Sequence, residues 1–211
     1  MNIRTSVVSA FAVLAFAASA APIIKNGEKI AFMGDSITQF GNEQDGGYVN
    51  LVIDGLERAG VKAVKIPAGV SGHKSDQMLA RLDGVLAKKP DWMTLSCGVN
   101  DVGHGPRGIE LEPYKKNITA ILDKCAAAGV KVIILTPTLC NDGPGWEKHG
   151  YNRKLGDTKS NSSLSLIRVV WKSPSYICEV VEAYKAAHPD ENVVVVDIYN
   201  YFNLLAQDLD D

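Results

Sequence analysis

The chain has 211 residues, with 22 lysines and arginines against 24 aspartates and glutamates and a formal net charge of −2. A near-neutral chain with no basic stretch is a poor match for nucleic acid, and its length suits one domain with a full core. The cysteines Cys97, Cys125, Cys140 and Cys178 follow no zinc-ligand spacing, so neither a metal nor another cofactor is expected. Scattered buried thiols are the simpler reading, although export would permit disulfides.

Arg4 precedes an almost unbroken apolar run from Val7 to Ala18, and Ala18-Ser19-Ala20 supplies the small residues of a cleavage site. Residues 1–20 therefore read as a signal peptide and 21–211 as the folded domain. A secreted or periplasmic protein is expected, with no stable membrane span once the signal is cleaved. An uncleaved N-terminal anchor is the competing reading. Asn117 and Asn161 open glycosylation sequons that matter only in a host that uses them.

The run Ile30 to Thr38 is apolar until Gly34-Asp35-Ser36 cuts it off, as in a buried strand that ends by exposing one hydroxyl. Ligands bind at that edge of open α/β sheets, which suits Ser36 as a nucleophile, with Gly34 permitting a tight turn. A Ser/Asp turn ahead of a helix fits the same residues equally well. A polar, Gly-rich loop is expected next. Val49, Val52, Ile53 and Leu56 have helical spacing within Tyr48–Ala59, and Gly60 ends that helix. Val61 to Ile66 reads as a second strand closed by Pro67. The loop Gly69 to Lys74 leads to a helix capped by Ser75 and carrying Met78, Leu79, Leu82, Val85 and Leu86.

Beyond the stop at Pro90, Trp92 to Cys97 forms a third strand, followed by Gly98-Val99-Asn100-Asp101 and a Gly-rich loop from Gly103 to Gly108. Pro113 suits the first position of a long helix towards Ala128, stopped by Gly129. Val130 to Thr136 is a fourth strand ended by Pro137, and Cys140 to Gly156 is irregular. Leu164 to Val170 fits a strand or a helix. Ile177 to Ala187 has helical spacing, Asn192 to Asp197 is a fifth strand, and the rest allows one helical piece and an acidic tail.

Nearly all-apolar strands alternating with helices indicate a parallel sheet covered on both faces. The expected fold is a flavodoxin-like three-layer α/β/α sandwich with five strands in the order 2-1-3-4-5, without repeats or a second domain. In that order the loops after strands one, two and three meet. They bring Ser36 as a nucleophilic oxygen, Gly72 as an unshielded backbone N–H and Asn100 as an amide donor. Donors aimed at one point stabilise the oxyanion of acyl transfer. Asp35 borders the same point, holding the turn by hydrogen bonds or meeting the substrate.

Met33-Gly34-Asp35-Ser36-Ile37-Thr38, Gly69-Val70-Ser71-Gly72 and Gly98-Val99-Asn100-Asp101 resemble, in order and spacing, three sequence blocks of the SGNH (GDSL-like) hydrolases, a family of lipases and acylhydrolases. The resemblance covers roughly Lys29 to Thr138. It implies a serine esterase with Ser36 as nucleophile and the Ser36 N–H, the Gly72 N–H and the Asn100 side chain as oxyanion hole. The implied substrate is a small carboxylic ester, with acylated carbohydrate as the class suggested by Gly-Val-Asn-Asp-Val-Gly-His and by export.

The family's fourth block, a C-terminal Asp-x-x-His that supplies the general base, has no counterpart here. The single Asp-x-x-His spacing runs from Asp101 to His104. The domain is therefore expected to be incomplete at its C-terminus, without the base and without a closing helix over one sheet face. His104 has two readings, substrate contact and surrogate base. His73 and His149 read as exposed loop residues, His188 as a structural residue at a helix end. Trp146 lines a carbohydrate pocket or simply packs. Three functions follow: an exported serine esterase, a catalytically silent relative binding acyl or sugar ligands, and an unrelated flavodoxin-like protein for phosphorylated ligands. The last is disfavoured because Asp35 stands where a phosphate would bind.

Overall fold

The computed structural model describes residues 23–103, 108–136, 176–190, 193–196 and 198. The elements are β1 (Lys29–Gly34), α1 (Ser36–Glu43), α2 (Tyr48–Arg58), β2 (Val64–Gly69), α3 (Ser75–Leu86), β3 (Trp92–Ser96), α4 (Val99–Gly103), α5 (Leu111–Ala127), β4 (Lys131–Leu135), α6 (Tyr176–Ala187) and β5 (Val193–Val196). All strand pairs are parallel, in the order β2-β1-β3-β4-β5. The expected sandwich and winding are thus those observed.

Strand side chains alternate between faces, and here each face has its own core. Ala31 and Met33 of β1 join Met78 and Leu82 of α3, Leu95 of β3, Tyr114 and Ile118 of α5 and Val181 of α6. Ile30 and Phe32 turn the other way to Val49 and Trp92, with Ile53 and Leu56 of α2 packed alongside. A side chain such as Phe32 or Leu95 contributes roughly 1.5–3 kcal/mol when fully buried, so apolar residues on both faces of a central strand are stabilising. Val194, in register with Ile133, is 40% exposed and Val196 is 43% exposed.

Several boundaries differ from those read in the sequence, each for a local reason. The polar, Gly-rich loop expected after β1 shrinks to a turn at Asp35, because α1 begins at Ser36 itself. Strand β2 starts at Val64 and runs through Pro67, which pairs with Phe32. The N–H groups of Val64 and Val70 both donate inward, to Glu28 and Gly34. Strand N–H groups alternate in direction, so Pro67, an odd number of residues from each, turns its nitrogen to the outer rim. A missing N–H there breaks no ladder bond, which is why an edge strand tolerates proline. Pro113 lies at the third residue of α5, not the first, still inside the turn whose N–H groups lack intrahelical partners. Ser75 opens α3 without being its cap: the cap position is Lys74, and the Ser75 N–H is satisfied by the Asp101 side chain from α4. Residues 140–156, 164–170 and the tail beyond Ile198 lie outside the described residues, as does the proposed signal peptide.

Candidate active site

Parallel strands deliver their C-terminal ends to one edge. Gly34 is in register with Gly69 and Met33 with Leu95, so the loops after β1, β2 and β3 leave the sheet side by side. Gly34 is glycine for space, not for an unusual turn, because a Cβ there would collide with the side chain of Thr38. The Thr38 hydroxyl is held 2.8 Å from the Tyr48 hydroxyl. Asp35 caps α1, its Oδ1 accepting from the Ile37 N–H at 2.9 Å. It is 2% exposed, so the carboxylate is committed to the turn. Burial pushes its carboxyl above the ordinary aspartate range against the pull of the Ile37 N–H, and Asp101 adds to the rise. Ser36 is half-buried at the first position of α1, where unpaired N–H groups favour negative charge.

The second loop is stitched to the first. Val70 N–H donates to the Gly34 carbonyl at 3.0 Å, and Ser71 N–H to Gln39 Oε1 at 2.8 Å. The turn closes with His73 N–H on the Val70 carbonyl at 3.2 Å, and within it Gly72 has φ +76, a left-handed conformation that glycine adopts freely. The third segment, which the sequence reads as a loop, is the short helix α4, and it joins through Asn100, whose Nδ2 donates to the His73 carbonyl at 3.1 Å. Next to it, Asp101 is fully buried. It accepts from Ser75 N–H at 3.0 and 3.2 Å and from the Ser75 hydroxyl at 2.5 Å. Asn117 Nδ2 completes the cluster by donating to the Ser75 oxygen at 2.9 Å. Burial lifts the Asp101 carboxyl above its usual range, against the lowering by Ser75. The three segments carrying Ser36, Gly72 and Asn100 therefore form one hydrogen-bonded cluster.

Arg81 on α3 is the residue that the sequence reading passed over. Its Nη2 donates to the Gly34 carbonyl at 2.9 Å and its Nε to His73 Nδ1 at 3.1 Å. The signal was present: Arg81 lies three residues after Met78 and directly before Leu82, on the stripe that faces the core. A cation on such a stripe needs acceptors. The same contact corrects the reading of His73 as an exposed loop residue. Arginine only donates, so Nδ1 accepts and the proton of the neutral ring sits on Nε2. Burial, then the Arg81 charge, lowers its pKa, with Asp76 pulling the other way. A general base of the triad type needs the reverse arrangement, with Nδ1–H directed at a carboxylate and Nε2 bare. His73 is thus set as a donor, not as a base.

His188 lies after α6, at the opposite edge of the sheet, with its ring stacked 4.3 Å from that of Tyr184. His104, Trp146 and His149 lie outside the described residues. Cys97 and Cys125 are buried free thiols; burial pushes Cys125 up to about 12 and Cys97 well above the usual range, so neither is a ready nucleophile. Among the described residues, no group of three His, Cys, Asp or Glu could hold a metal ion, and no helix is long and apolar enough to cross a membrane.

A sequence profile of the GDSL-like lipase/acylhydrolase family matches residues 32–211. The chain belongs to that family. Among GDSL-like relatives, the acetylxylan esterase of Geobacillus stearothermophilus is 29% identical over 136 residues, 54% of this chain and 61% of that protein. The esterase TesA of Pseudomonas aeruginosa is 29% identical over 143 residues, 66% of this chain and 69% of its own length. The crystal structure of the acetyl xylan esterase AlAXEase superposes with a TM-score of 0.60 at 25% identity, covering 82% of this chain and 79% of that one. The GDSL-like homologues of this chain are therefore esterases and acylhydrolases.

Proposed function

We propose that this protein is an exported serine esterase that hydrolyses small carboxylic esters, with acetylated carbohydrate as the favoured class. The observation that carries the reading is the clustering of the Ser36, Gly72 and Asn100 segments by direct hydrogen bonds at the rim of the sheet. In this mechanism the Ser36 oxygen adds to the ester carbonyl as its proton passes to solvent. The alcohol leaves with a proton to give an acyl-Ser36, and water then releases the acid. The Ser36 N–H, the Gly72 N–H and Asn100 Nδ2 share the charge on the carbonyl oxygen as the tetrahedral intermediate forms. The two acetylxylan esterases among the relatives support the choice of acyl group and alcohol. The apolar run before Ala18-Ser19-Ala20 supports export.

Hydrolysis of a small aryl acetate and of acetylated xylo-oligosaccharides, compared between the protein and Ser36→Ala, tests the proposal. Turnover that survives Ser36→Ala would rule it out. His73 Nδ1 is engaged by Arg81 and so is not set as a base, which favours a second reading, a silent relative that keeps the pocket as a binding site. That protein would bind an acetylated sugar without releasing acetate.

A further inference from the structure

Arg81 occupies an unusual position for a charged side chain. It rises from α3 between the buried Met78 and Leu82, is itself half-buried, and burial lowers its pKa. Among the described residues it forms no ion pair with a carboxylate. Its acceptors are the backbone oxygen of Gly34 and a ring nitrogen of His73. Holding α3 against the sheet does not require this, since an aliphatic side chain at that position would pack without giving up the hydration of a charge. What the guanidinium adds is a rigid fork joining two turns.

The ends of that fork fall at telling places. Gly34 is two residues before Ser36 and His73 is the residue after Gly72, while the carbonyl of the same His73 accepts from Asn100. Each of the three donors assigned to the oxyanion is therefore at most two residues, or one hydrogen bond, from a residue that Arg81 holds. We propose that Arg81 is the positioning residue of this site: its guanidinium fixes the separation between the turn that carries Ser36 and the turn that carries Gly72, and through His73 sets the Asn100 amide. It does not touch substrate. This inference rests on the acyl-transfer reading of the site.

Misplacing catalytic groups by about 1 Å can cost on the order of 10²-fold in rate. Arg81→Met should therefore lower kcat for a small aryl acetate by about 10- to 100-fold while KM stays within about threefold. Arg81→Lys keeps the charge but has no fork to span both acceptors, and should fall between wild type and Arg81→Met. The kcat values are taken per reactive Ser36, counted by stoichiometric labelling with a fluorophosphonate, and melting temperatures are measured alongside. A purely structural role would lower the melting temperature and the labelled fraction but leave kcat per labelled serine unchanged, and that result overturns the proposal. Should Arg81→Met not fold, Arg81→Lys decides: a per-site kcat within twofold of wild type overturns the proposal. Wild-type protein that neither turns over nor labels instead refutes the acyl-transfer reading itself, and this inference with it.

Discussion

Replacing Asp101 by alanine should destabilise the fold by more than a surface cap would. The carboxylate is fully buried and accepts from the N–H and hydroxyl of Ser75, the first residue of α3. Losing a helix cap costs about 0.5–2 kcal/mol, largely measured where water can replace it. Water has no easy access here, so the orphaned Ser75 N–H carries a desolvation penalty of about 1–3 kcal/mol. The Ser75 hydroxyl loses its acceptor as well, although Asn117 still donates to it. A total of about 2–4 kcal/mol is expected for Asp101→Ala, or roughly 4–16 °C in Tm for a domain of this size. Denaturant unfolding of wild type, Asp101→Ala, Ser75→Ala and the double variant gives the coupling, expected at about 1–2 kcal/mol within the usual range for residues in contact. An Asp101→Ala loss below about 0.5 kcal/mol, or strict additivity of the pair, would refute the reasoning.

Asn100→Ala removes a side-chain donor from the proposed oxyanion hole, so kcat per labelled serine should drop by about 10²–10³-fold, measured on an aryl acetate. Gly72→Ala forces a Cβ into the left-handed region and should cost about 1–2 kcal/mol in denaturant unfolding, with a fall in kcat as the N–H shifts. Asp35 and Asp101 both bind protons more readily in the folded chain than the ordinary aspartate pKa implies. Their contribution to stability is thus fully present below that value and lost as pH rises through the folded pKa. Unfolding free energies taken across the acid range should show this decline flattened in Asp101→Asn; an unchanged slope would exclude Asp101 as a source.

The strand order was legible because the strands are nearly all apolar and parallel winding leaves few arrangements for such strands. The three motif segments were legible too, since strand ends in a parallel sheet share an edge. What could not be read is whatever depends on a partner distant in sequence. Ser75 has the composition of a cap, yet only the folded chain reveals that its own N–H is met by Asp101, 26 residues away. Pro67 stops a strand in isolation but not at a sheet rim, and the rim exists only after assembly. Arg81 could have been singled out as a charge on an apolar stripe, but its two acceptors belong to loops that the helix meets only in three dimensions.

Pro67 also has a bearing on assembly. With its ring nitrogen facing outward, the β2 flank offers a would-be neighbouring strand an incomplete set of donors. Intermolecular zippering along that side is discouraged at the level of covalent structure, whatever the solvent. A residue with a free amide at this place would reopen the flank, so Pro67→Val should leave the monomer's pairing intact while making the protein more prone to self-association.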